Sequence, residues 1–342
     1  MCILIPAMKR MSAIALALFL ALSAHGQQSW VPEGPRPNTR GQVENIDDGE
    51  VVGAADAIAV HPANPDIVFL GTVNGGIWRT NNATAQKPIW THQTDDQVSL
   101  SIGSLEFDPT DSTHQTLVAG VGRFSSLSNA GGMRSGLLRT ADGGATWTMI
   151  DGGGALRGLN ISGVAPRGTV ILLAANDADN PNNTGIWRGT SSGQGWTKIS
   201  GRAGTGLPQG ASVALAGAPS DPNKIYTNVS GMGLYRSDNA GAKWNKISTP
   251  AMDALIGSAD NIKISVGKHS NVYAAIDVNG RLAGVFRSDN SGSTWTAMDL
   301  PGTVEGGPHA GSQGSFCSLG CQFPHCRGRR PGYRNSGTTI PL

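Results

Sequence analysis

Thr140-Ala-Asp142-Gly-Gly144-Ala-Thr-Trp147 is one copy of a segment that returns as Ser237-Asp-Asn239-Ala-Gly241-Ala-Lys-Trp244 and Ser288-Asp-Asn290-Ser-Gly292-Ser-Thr-Trp295. A looser copy, Gly189-Thr-Ser191-Ser-Gly193-Gln-Gly-Trp196, precedes the last two, and a further one, Arg79 to Trp90, is lengthened by three residues. The chemistry of the segment is that of a locked turn. A short polar side chain (Asp142, Ser191, Asn239 or Asn290) accepts hydrogen bonds from turn amides, glycine takes a backbone angle other residues resist, and tryptophan anchors the turn in apolar packing.

The tryptophans measure a repeat. Trp90, Trp147, Trp196, Trp244 and Trp295 lie 57, 49, 48 and 51 residues apart. Each follows an apolar segment ending on the same Arg pattern: Gly76-Ile-Trp-Arg-Thr80, Gly136-Leu-Leu-Arg-Thr140, Gly185-Ile-Trp-Arg-Gly189, Gly233-Leu-Tyr-Arg-Ser237 and Gly284-Val-Phe-Arg-Ser288. Upstream of each lie two more short, β-branched or aromatic runs divided by Pro, Asn, Asp and Gly, such as Ala57-Ile-Ala-Val60 and Asp66-Ile-Val-Phe-Leu-Gly-Thr72. Strand, turn, strand, Gly-rich turn, strand, tight turn, strand, at a period near fifty, predicts an all-β chain: a β-propeller of four-stranded antiparallel blades, five of them between Ala57 and Glu305.

The turn segments resemble the Asp-box, Ser-x-Asp-x-Gly-x-Thr-Trp. The chain is similar to Asp-box (BNR) members of the sialidase and sortilin-like propeller superfamily, and most of all to the branch near oligoxyloglucan-specific glycoside hydrolases. The resemblance covers roughly residues 30 to 315. It implies the fold, while activity has to be argued from a site.

Composition fits this reading. Of 342 residues, 48 are Gly and 19 are Pro with no collagen-like period, and only 15% are charged. The first 26 residues read as an export signal: Lys9 and Arg10, then an apolar run from Met11 to Leu22 too short to span a bilayer, then Ala24-His25-Gly26. The expected product is secreted, extracellular or periplasmic, with no membrane span in the mature chain. Gln27 to Asp56 reads as a lead-in to the first blade. The body from Gln27 to Glu305 carries 20 basic and 24 acidic residues, a net −4 without a basic cluster, which argues against a nucleic-acid partner. From 306 to 342 the pattern fails: three cysteines and four arginines arrive with no acidic residue and no alternating strand. A reading frame that shifts near Ser315, with further blades in the intact product, is the expectation. The Cys317, Cys321, His325, Cys326 cluster has no standard zinc spacing, and no metal site is assigned.

Glycoside hydrolysis requires two carboxyl groups flanking the scissile bond. Asp95 and Asp96, after Trp90, are the catalytic candidates, with Asp47, Asp48 and Glu50 before the first blade as others. Arg123, Phe124 and Arg134 in the longest insertion, with Asp177 and Asp179 in the Asn176–Asn183 loop, are the ligand-binding candidates: Arg pairs with carboxylates and an aromatic ring stacks on a sugar face. The same oxygen-rich loop is where Ca²⁺ would be held, at Asp177 and Asp179, and no other cofactor is expected. The resemblance lowers the enzyme reading. Oligoxyloglucan hydrolases carry a catalytic Asp in Thr-Asp-Val-Gly-Gly of the first blade, where this chain has Thr72-Val73-Asn74-Gly75-Gly76. The Arg-Ile-Pro motif of sialidases is absent from the sequence. The preferred reading is a secreted propeller recognising a glycan or a secreted or surface protein. A xyloglucanase-like glycoside hydrolase is the first alternative and a protein-assembly scaffold the second.

Overall fold

The computed structural model describes residues 54–122, 132–177 and 179–300. Twenty strands form five separate four-stranded sheets, each antiparallel and each in simple up-and-down order. The first blade holds β1 (Ala55–Val60), β2 (Val68–Thr72), β3 (Ile77–Thr80) and β4 (Trp90–His92). The second holds β5 (Ile102–Phe107), β6 (Leu117–Val121), β7 (Leu137–Thr140) and β8 (Thr148–Ile150). The third holds β9 (Asn160–Arg167), β10 (Val170–Asn176), β11 (Gly185–Thr190) and β12 (Thr197–Lys198). The fourth holds β13 (Leu215–Ala218), β14 (Asp221–Val229), β15 (Gly233–Ser237) and β16 (Asn245–Lys246). The fifth holds β17 (Asn261–Val266), β18 (Val272–Val278), β19 (Arg281–Ser288) and β20 (Thr296–Met298). The first strands of successive blades, β1, β5, β9, β13 and β17, stand beside one another in chain order, as the inner strands of a propeller do. The first strand begins at Ala55, two residues ahead of the Ala57 read from the sequence. The export signal, most of the lead-in and the 306–342 tail lie outside the described residues.

Alternation along each strand sends side chains to both faces of a blade, so apolar layers form between blades rather than in one centre. Phe69 and Ile77 of the first blade meet Ile102, Leu117 and Leu138 of the second. Val118, Leu137 and Ile150 meet Ile171 and Leu173 of the third, and the other junctions repeat the arrangement. A short helix, α1 (Pro250–Ile256), departs from the all-strand expectation. Thr249 caps it by accepting from the Met252 N–H, Pro250 sits in the first turn, and Met252 and Ile256, one turn apart, are buried against the fifth blade.

The recurrent turns are locked as their chemistry requires. Asp142 Oδ1 accepts from the Thr146 N–H (2.9 Å) and the Thr140 hydroxyl (2.7 Å). Asn239 accepts from Lys243 N–H and Ser237, and Asn290 from Thr294 N–H and Ser288. The Thr146 hydroxyl, which donates to Asp142 Oδ2 (2.6 Å), holds the Asp142 carboxyl down at about 2 together with these bonds from the Thr146 N–H and Thr140. The first copy uses Asn82, which accepts from Thr80 and, across the insertion, from the Ile89 N–H. In the third copy the hydroxyl acceptor is Thr190, not Ser191: Thr190 Oγ1 takes the Gln194 N–H (3.0 Å) and pairs with Ser192. The displacement has a steric cause, because the ring of Trp196 lies against Gly189, where the other copies carry Thr or Ser.

The glycine of each turn also serves the neighbouring blade. A Cβ on Gly144 would come within 2.7 Å of Phe69 Cε1 in the first blade, and one on Gly292 within 2.7 Å of Ile247 Cδ1 in the fourth. Gly241 has φ of +80° and lies against the fully buried Leu172 of the third blade. Gly241→Ala therefore combines an unfavourable backbone angle with a collision, and about 2 kcal/mol of destabilisation is expected in a urea melt. A loss below about 0.5 kcal/mol would show that the blade junction yields freely at this point.

Candidate active site on the loop-bearing face

In an antiparallel blade, the loops from second to third strand and from fourth strand to the next blade emerge on one face. The locked turns emerge on the other. The first face carries residues 73–76, 93–101, 132–136, 151–159, 177, 179–184, 199–214, 230–232, 247–260 and 279–280. Asp95, Asp96, Arg134, Asp177 and Asp179 all belong to it, so these sequence-derived candidates share a face. Arg123 and Phe124 lie outside the described residues, as do Asp47, Asp48 and Glu50.

The structure brings three of the candidates together. Arg134 is largely buried and donates from Nη2 to Asp179 Oδ2 at 2.5 Å, with Nη1 4.0 Å from Asp177 Oδ1. Asp177 is itself buried and serves its own loop. Its Oδ1 accepts from the Asp179 and Asn180 N–H groups, and its Oδ2 from Asn183 Nδ2. The guanidinium and these amides brace the loop, with Asp179 at its exposed rim. Asp95 pairs with His92 Nδ1 at 2.6 Å, and Asp96 accepts from the side-chain amide of its neighbour Gln97. Being adjacent in sequence at the rim, Asp95 and Asp96 do not face each other across a bond.

Two acidic groups that the sequence reading passed over have the more telling surroundings. Asp277, at the end of β18, is buried, and its Oδ1 has no hydrogen-bond partner. Burial, reinforced by the nearby charge of Asp260, raises its carboxyl above the ordinary value. Asp260 is anchored beside it, its N–H donating to the Asp277 carbonyl (2.9 Å) and its Oδ2 accepting from the Gly280 N–H (3.1 Å). The place of Asp277 in the repeat is informative. Arg79 pairs in register with Phe69, and Arg287 with Tyr273. Four residues beyond those partners stand Val73 and Asp277, so blade five carries an Asp where blade one has Val73. The signal in the sequence was Asp277-Val278-Asn279-Gly280, a fragment like the Asp-Val-x-Gly whose absence from the first blade counted against an enzyme. The second group, Asp56, is the bulged residue of β1, at the inner rim. Desolvation raises its carboxyl, offset by the positive charge of Lys263 on β17.

Five four-stranded antiparallel blades define a β-propeller, and the perturbed carboxyl groups mark a candidate site on its loop-bearing face. No family model matches the chain. A xyloglucanase of Hypocrea jecorina is 26% identical over 307 residues, covering 85% of this chain and 30% of that protein. A xyloglucanase of Acetivibrio thermocellus is 23% identical over 308 residues, 81% of this chain and 35% of that one. Among solved structures, an ancestral GH74 enzyme superposes with a TM-score of 0.51 at 16% identity, over 79% of this chain and 32% of its own, which supports the fold. The chain spans about a third of the length of the curated relatives it matches. Among the described residues, no helix is long and apolar enough to cross a membrane.

Proposed function

We propose that the chain acts on a polysaccharide through its loop-bearing face, as a propeller of a xyloglucanase-type glycoside hydrolase, with the recurrent turns read as Asp-boxes. The observation that carries this reading is the relation to xyloglucanases along 85% of the chain. It moves the weight from pure recognition, the reading preferred from the residues alone, to the hydrolase alternative. In this reading Asp277, buried on the loop-bearing face, is the acid that donates to the leaving oxygen, since burial shifts it toward the protonated form. Arg134 and Asp179 brace the rim where the sugar chain lies. The export signal read at the N-terminus fits a polymer met outside the cell.

Incubation of the full chain with xyloglucan tests the proposal, with new reducing ends as one readout and retardation in xyloglucan-containing native gels as the other. Retardation together with hydrolysis is the expected result. Retardation without hydrolysis would return the protein to recognition, and neither would reject a polysaccharide as its partner.

A further inference from the structure

Each third strand carries an arginine near its end. Arg236 shows its ordinary employment: it donates from Nη1 to the Ser291 carbonyl of the fifth-blade turn (2.7 Å) and pairs with Asp238. Arg287 pairs with Asp289, and Arg79 lies 5.5 Å from the ring centre of Phe69. Arg139 differs. Like that of Arg79 and Arg188, its Nε is buried with no partner, and it has no ion pair among the described residues; what sets it apart from Arg79, which lies over Phe69, is the space it faces. The side chain lines a cavity of about 360 Å³ on the outer flank, between β8 of the second blade and the Ser191–Gln194 turn of the third. The cavity lies beside the third copy of the repeat, whose lock has shifted to Thr190.

We propose that this cavity binds a carboxylate-bearing sugar of the uronate type. Arg139 supplies a cation without a counter-charge, and guanidinium groups favour carboxylates through paired N–H donors. Asp151 also lines the cavity, but its charge is already met by Arg157 at 2.6 Å and by the Gly153 N–H, so it faces the ligand as a hydroxyl acceptor rather than an open negative charge. Ser191, Ser192 and Gln194 provide further hydroxyl and amide groups, and Met149 an exposed apolar flank. Arg139 fixes the acid end, and the polar turn fixes the ring. The site is on the rim of the blades and does not depend on the reading of the loop-bearing face.

Titration of the full chain with D-glucuronate, its neutral methyl ester and D-glucose, followed by calorimetry or by chemical-shift changes, tests the inference. Glucuronate is expected to bind in the millimolar range, with the ester and glucose at least about tenfold weaker. Arg139→Met is expected to weaken glucuronate by about tenfold or more. Ser192→Trp, at an exposed position, blocks the cavity without touching the core and is expected to do the same; far-ultraviolet circular dichroism confirms that each variant is folded. Absence of glucuronate binding, equal affinity for the charged and neutral sugars, or unchanged binding in the folded variants would overturn the proposal.

Discussion

Asparagine in place of Asp277 is expected to lower xyloglucan turnover by about a hundredfold, the lower end of what a positioned acid contributes, and at the same time to raise thermal stability at neutral pH. Both effects come from the same environment. Burial, with Asp260 adding to it, lifts the Asp277 carboxyl. A group whose folded-state value lies above its unfolded one contributes stability below the unfolded value, and that contribution is lost as pH rises through the folded one. As pH rises, ionisation leaves the fold with a desolvated charge and one oxygen unmatched. Asparagine removes the charge but keeps the shape, so the variant should melt higher than the wild type at pH 7 and equal it at acid pH. Turnover should lose the alkaline limb that deprotonation of the acid imposes. An unchanged turnover would remove Asp277 from the reaction, whatever the melting curves show. A gain in stability alongside lost turnover is the pattern of a site held against the stability of its fold.

Arg167→Met should cost about 3 kcal/mol, the low end for breaking a buried ion pair, because Glu106 retains some exposure. Arg167 closes β9, and its side chain is 2% exposed. It donates from Nη1 to Glu106 Oε1 of the second blade at 2.8 Å and to the Pro166 carbonyl, while its guanidinium lies against Gly217 of the fourth blade. One side chain thus ties three inner strands. Burial raises the Glu106 carboxyl and Arg167 opposes that rise. Without Arg167 the value rises further, so the deficit should be greatest at neutral pH and shrink as pH falls and Glu106 takes up a proton. Urea melts at pH 7 and pH 4 check this. Adding Glu106→Gln to the Met variant should recover much of the loss at pH 7. If it recovers nothing, the role of Arg167 is packing against Gly217 rather than charge.

The parts legible in the sequence are those whose causes are local. The lock of each turn runs between residues at most four apart in the second, fourth and fifth copies, as with Thr140, Asp142 and Thr146, so spacing alone exposed it. Strand, turn and strand repeat at a period set by four short strands, and five tryptophans recorded that period four times. Even the exception was partly visible, since Gly189 breaks the Thr/Ser pattern of the other copies. Arg134 and the Asp177–Asp179 loop were found because turn chemistry marks such loops, although their pairing across two blades was not predictable.

The remainder was decided by contacts between blades. Nothing local distinguishes Asp277 from an ordinary turn acid; its burial and the neighbouring Asp260 arise only when β18 folds back on β17 and the end of the strand is covered. Glu106 and Arg167 are 61 residues apart and read singly as solvated charges. Arg139 looks like every other arginine of the repeat, and only the folded structure shows that it lines a cavity beside the third turn. Hydrogen bonds within a turn and alternation within a strand are set by short stretches of chain, and these determined the class of fold. Desolvation, charge pairing and the unfilled space between blades depend on which distant residues share a neighbourhood, and only the tertiary structure decided them.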